Sequence, residues 1–144
     1  MQSSTIQQST IEKKNIIKIL SVDGRTKAQL LIEIASDNAT RSKGLGYRQF
    51  LATDSGMLFI HDAAKKYKYW MKGMEFPIDF IWISKDTIAD IITNANPPIK
   101  GQTDDTLELY EPIVEVNKVL ETNAGFVNTH NIQKGDKVVL QDSN

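Results

Sequence analysis

The sequence predicts a mainly β (α+β) domain of about eight short, mostly antiparallel strands in a barrel-like or sandwich sheet, with two short helices. Three observations lead there. Short runs rich in β-branched and aromatic residues recur along the chain, separated by Gly, Pro, Asn and Asp turns. Helical signals are confined to two stretches, both too short for the full-length crossovers of a parallel βαβ fold. The chain has 144 residues and no internal repeat, which suits one domain around a single core.

The elements follow in order. Residues 1–14 are polar, Ser/Thr/Gln-rich and free of aromatics, so they are expected to form a disordered tail or linker. The globular domain is expected over 15–141, with 142–144 disordered. Ile16, Ile17 and Ile19 make a first strand, ended by Asp23-Gly24. Leu30, Ile32 and Ile34 then alternate with Leu31, Glu33 and Ala35, which is strand periodicity and completes a hairpin. Ser36 or Asp37 caps a helix of about two turns, which Gly44 stops.

Further strands are expected at 56–60, 67–72, 79–83, 87–92, 115–121 and 137–140. Ser84-Lys85-Asp86 joins two of them as a hairpin-length connection. Pro97-Pro98 and Gly101 mark a surface loop over 94–108, expected to be mobile. Asn123 is expected to cap a second helix running to about Asn131.

Composition excludes several chemistries. There is no cysteine, so disulfides, thiolate metal sites and cysteine nucleophiles are ruled out. The formal charge of −1 gives no global attraction to nucleic acid or anionic membrane. No apolar run is long enough to span a bilayer, so no transmembrane segment is expected. His61 and His130 are solitary, without ligands at metal spacing, so neither a metal nor any other cofactor is implied. Gly44-Leu45-Gly46 follows a helical stretch, unlike the strand–turn–helix of nucleotide loops.

Several segments resemble a known family. Arg41-Ser42-Lys43-Gly44-Leu45-Gly46-Tyr47-Arg48 is similar to an arginine–Gly-Leu-Met–arginine segment of the domain of unknown function 192 family. Gly56-Met57-Leu58-Phe59, Trp70-Met71-Lys72 and Pro77-Ile78-Asp79 resemble its other signatures. Asn123-Ala124-Gly125 and Lys134-Gly135-Asp136 resemble its C-terminal block. Order and spacing hold from about Ile32 to Val139. Gly46 stands where the family has methionine, and Gly73-Met74 where it has Asn-Thr. The resemblance implies a β-rich fold, often in exported bacterial and archaeal proteins, and no known reaction. An extracytoplasmic location is expected, through an export signal or anchor removed upstream, with a cytoplasmic one as the alternative.

Seven of the eleven aromatics fall between Met57 and Trp82, and most belong in a core. Alternation puts Tyr67, Tyr69 and Met71 on one face and Lys68, Trp70 and Lys72 on the other. A tryptophan between two lysines points to an amphipathic surface or a cleft wall with cationic reach. The candidate ligand-binding residues are Arg48, Trp70, Lys72, Asp79, Tyr110 and Glu121. Trp70 is expected as an aromatic platform, and Lys72 and Arg48 as cationic contacts. Asp79 is expected to orient Lys72, and Tyr110 to close the mouth. Arg41 is read as closing a helix end or pairing with a carboxylate.

The expected function is a non-catalytic binding module for a small polar or anionic ligand, a saccharide among the candidates. The alternatives are a small hydrolase using Asp79, Glu121 or Lys72, or a protein–protein interaction domain.

Overall fold

The first two apolar runs form the expected hairpin. Lys14–Leu20 (β1) pairs antiparallel with Thr26–Ala35 (β2) across a turn closed by the Gly24 N–H donating to Ser21 O at 2.9 Å. The computed structural model describes residues 14–143, so the expected tail, Lys14 aside, lies outside the described residues. The chain then makes helix α1, Asn38–Lys43, before Ser55–Lys65 (β3) lies parallel to β2. Ile78–Ser84 (β4) and Thr87–Ala95 (β5) form a hairpin. Val116–Asn123 (β6), helix α2 (Phe126–Thr129) and Lys137–Ser143 (β7) complete the fold.

These seven strands close a barrel in the order β1-β2-β3-β6-β4-β5-β7. Every pairing except β2–β3 is antiparallel, and β5 meets β7 through the single pair Thr87↔Lys137. The barrel form is thus selected over the sandwich, with the β5–β7 seam closed at its one pair.

Four details depart from expectation. Residues 67–72 are extended but form no regular strand: only Tyr69 bridges, to Tyr110. β7 continues to Ser143, pairing Asp142 with Asn15 and Ser143 with Lys14, so the chain is ordered past 141. The cap of α2 is Gly125 and not Asn123, whose amide instead donates to Leu51 O at 2.9 Å. β5 runs on to Ala95, so the long connection occupies 96–115, with one 3-10 turn at Asp104–Thr106.

The wall β3–β6–β4 is buried on both faces. Leu58, Leu120 and Ile81 lie side by side in register and pack with Ile17, Ile19 and Leu30 in the barrel interior. Their sequence neighbours Phe59, Val119 and Trp82 face the other way, into a second core closed by Leu45, Met71 and Met74. That is why 78–83 reads as an unbroken apolar run with Asp79 inside it: strands covered on both faces do not alternate.

Asp79 is fully buried and has no cationic partner among the described residues. Its carboxylate accepts the N–H of Asn94 at 2.9 Å and of Val127 at 3.0 Å, tying β5 and α2 to β4. It does not orient Lys72. Asp79→Ala strands two backbone donors and should cost roughly 3–5 kcal/mol, with Asp79→Asn costing less because one acceptor survives. Urea denaturation checks this; a loss near zero for Asp79→Ala would contradict the bracing role.

Candidate functional site

The second core does not fill the space above its wall. The roof is two irregular segments. One begins with α1, where Asp37 accepts the Thr40 N–H at 2.8 Å and Thr40 Oγ1 accepts the Asp37 N–H at 3.3 Å, a reciprocal cap. Gly44 ends the helix at φ +49°, with a Cβ position 3.1 Å from the Phe59 ring, so the chain turns down onto the core there.

The other segment spans residues 66–77. It is pinned by paired Tyr69 and Tyr110 backbone bonds of 2.8 and 2.7 Å, and by the Tyr47 N–H donating to Gly73 O at 2.7 Å. Gly73 sits at φ +75° with the Tyr47 ring 2.8 Å from where a Cβ would be. Any side chain at this position would meet that ring. Between the two segments opens a cleft of about 260 Å³.

Glu121 lines this cleft from β6, in register with Met57 on β3 and Phe80 on β4. It is 5% exposed. The other buried acids are all engaged: Asp79 as above, Asp90 by the N–H groups of Ile91 and Ile113 at 2.9 Å each, and Asp136 by Lys27 Nζ and the Gln133 N–H at 2.8 Å each. No described group hydrogen-bonds or ion-pairs with the Glu121 carboxyl. Burial pushes its pKa up from 4.5 to about 8, so it is largely neutral at pH 7.

Tyr69 stands beside it, edge-on to Phe59 at 5.2 Å and to Trp82 at 5.6 Å between centroids. Its hydroxyl lies 2.8 Å from His61 Nε2. Burial, and then the Glu121 charge, hold the phenol well above its ordinary pKa. His61 stacks on Tyr67 at 3.6 Å, and burial followed by the Arg41 charge pushes its pKa down, favouring neutral imidazole. Arg41, from the last turn of α1, donates to Ile60 O at 2.8 Å and to Asn38 Oδ1 at 3.0 Å.

The mouth carries Lys43, Lys68 and Lys72 together with Trp70, which remains 42% exposed. Lys72 Nζ pairs with Asp104 at 2.7 Å and lies 5.3 Å from the centre of the Trp70 ring. The expected alternation holds: Tyr67, Tyr69 and Met71 turn inward, Lys68, Trp70 and Lys72 outward.

Of the six expected site residues, the cleft brings together Trp70, Lys72 and Glu121. Arg48 lies elsewhere, held bidentate by Glu33 at 2.5 and 2.8 Å, where it fastens the roof to β2. Tyr110 supports the cleft from behind, packing on Phe80 at 5.3 Å, and lines a separate depression over the long loop. Asp79 and Glu121 cannot form an acid/base pair. Asp79 pairs with Thr122 and Phe80 with Glu121, so the two carboxyls leave opposite faces of the wall.

Sequence reasoning assigns Arg41 a structural role, His61 no ligand role and Tyr69 an inward face, and names none of them as a site residue, yet all three line the cleft. For His61 a signal was present, since it follows Met57 and Phe59 at strand period on the same face. Among the described residues, no group of three or more His, Asp or Glu side chains is placed to hold a metal ion.

The buried carboxyl predicts a pH signature. The unfolded chain ionises Glu121 near 4.5 and the folded chain near 8, so stability falls as pH rises through that window and levels off above it. Glu121→Gln lacks this loss. Relative to the parent protein it should gain on the order of 4 kcal/mol between pH 4.5 and 8.5. Urea denaturation at both pH values measures it; a difference independent of pH would contradict the assignment.

Comparison with known proteins agrees with this architecture. No curated protein matches the chain. A crystal structure of a "putative transcription regulator" from Sinorhizobium meliloti 1021 is similar at TM-score 0.77 and 32% identity, over 88% of this chain and 92% of that one. A crystal structure of a protein of unknown function from Novosphingobium aromaticivorans DSM 12444 is similar at TM-score 0.75 and 26% identity, over 86% and 83%. Among the described residues no helix is long and apolar enough to cross a membrane. Residues 18–140 match the family described as DUF192, Uncharacterized ACR, and the chain belongs to that family.

Proposed function

We propose that this protein is a binding module for a small anionic, polar molecule, with a sugar ring as the fitting scaffold. The observation that carries this is Glu121: the one buried carboxyl left without a hydrogen-bond partner among the described residues lines an open cleft. A carboxyl that meets no described donor and faces a cleft is open to a ligand that supplies one. Trp70 supplies an apolar shelf of the kind a sugar face covers. Arg41, Lys43, Lys68 and Lys72 give the cleft an excess of positive charge over its single acid.

The hydrolase alternative is weaker. It needs two groups acting on one bond, and Asp79 lies behind the wall while Lys72 is held at the mouth by Asp104. The regulator description of the Sinorhizobium relative suggests a nucleic-acid or effector role. With a net charge of −1 and cations converging on a small cleft, this chain fits the effector-sized ligand better. An extracytoplasmic location remains part of the proposal, resting on the family habit alone.

Amide NMR titration tests the reading. Glucose 6-phosphate should shift Gly44, Gly46 and the Trp70 indole saturably, glucose should do so more weakly, and Trp70→Ala should weaken both. Equal, non-saturating responses to the two sugars would contradict it.

A further inference from the structure

The cleft has two ends of opposite character. Its floor is an acid among rings: Glu121 with Phe59 and Tyr69. Its mouth is basic. The groups packed round Glu121 do not neutralise it. From α1, Arg41 is occupied by Ile60 O and Asn38, and Lys43 makes no ion pair with it; from β3, His61 is bonded to Tyr69. From the roof, Lys72 is drawn off by Asp104, and Lys68 also makes no pair with Glu121. Among the described residues, cations thus stand beside this cleft and none pairs with its acid.

We propose that the cleft selects zwitterions, with the ligand's ammonium on Glu121 among the aromatic rings and its phosphate or carboxylate at the lysine mouth. This rests on the binding reading above and names its ligand class. Each end follows from ordinary recognition chemistry. An ammonium supplies the hydrogen bonds that Glu121 lacks, and aromatic faces attract cations. An oxyanion at the mouth meets lysines that are only partly desolvated, where its charge is welcome and its hydration largely kept. A plain anion would satisfy the mouth and leave the floor with a neutral carboxyl. A plain amine would have to pass the lysines without compensation.

The exchange of charge on Glu121 gives a readout beyond affinity. The carboxyl is mostly protonated at pH 7 in the free protein, and an arriving ammonium stabilises its ionised form. Binding a zwitterion therefore releases close to one proton from Glu121. An anion accepting a hydrogen bond from the protonated carboxyl releases none.

Titration calorimetry at pH 7, in buffers of different ionisation enthalpy, separates the cases with the full chain. The probes are glucosamine 6-phosphate and glucose 6-phosphate, which differ in one ammonium. The expected result is at least tenfold tighter binding of glucosamine 6-phosphate, with proton release. Glu121→Gln should abolish both the preference and the release, while amide spectra report whether that variant folds. The parent protein alone decides the matter if it does not. Equal affinities without proton release would overturn the zwitterion proposal and leave the binding module standing. Failure of both probes to bind would overturn the two together.

Discussion

A strand segment paired on both sides and covered on both faces offers no exposed position for a charge, and Val119–Thr122 of β6 is such a segment. β3 and β4 flank it, the barrel core lies behind it and the second core in front. Val119, Leu120, Glu121 and Thr122 are all buried, so the register of the wall decides what each of these side chains meets. Leu120 is assigned to the interior and Val119 to the outer core, and each stabilises by apolar burial. Glu121 obeys the same geometry and gains nothing from it. The consequences are a carboxyl that stays protonated at neutral pH and a neighbouring phenol that resists ionisation.

The rest of the outer layer makes sense as a frame round that group. A flexible roof would collapse onto the carboxyl or flood it with water. Here each roof segment is fastened at several points: Arg48 to Glu33, Tyr47 to Gly73, and Tyr69 to Tyr110 by paired backbone bonds. Asp79 performs the matching task on the other side of the wall, gathering the start of α2 and the end of β5. Two acids that adjoin in register thus have opposite roles. Asp79 spends its oxygens on backbone N–H groups and is scaffold, whereas Glu121 keeps its oxygens for the cleft.

Much of the fold was legible because it follows period and punctuation. Leu30, Ile32 and Ile34 alternate, Asp23-Gly24 turns, and Asp37 with Gly44 bounds a helix; each signal is local and each element is present. The segment 67–72 misled for a physical reason. Its alternation is real, since one side faces the core and the other solvent, but its neighbour in space is a loop that offers a pairing partner only at Tyr110. The site was half legible. Trp70 and Lys72 announced themselves by facing outward together, and Glu121 lay among the acids. The pairing of Lys72 with Asp104 depends on a long connection whose course no local pattern encodes. Arg48 looked like a ligand contact because arginine is scarce here, yet the same bidentate geometry serves a structural anchor on Glu33 equally well.

The account stands on one protonation state. Carbon-detected NMR of the Glu121 side-chain carboxyl, followed from pH 4 to 10 in the free protein, reads it directly. The structure predicts a midpoint near 8, with the Tyr69 ring resonances responding to the same transition. A midpoint near the ordinary 4.5 would mean that water or an unrecognised partner already satisfies the carboxyl, and would contradict the claim that the cleft holds an acid in reserve for a ligand.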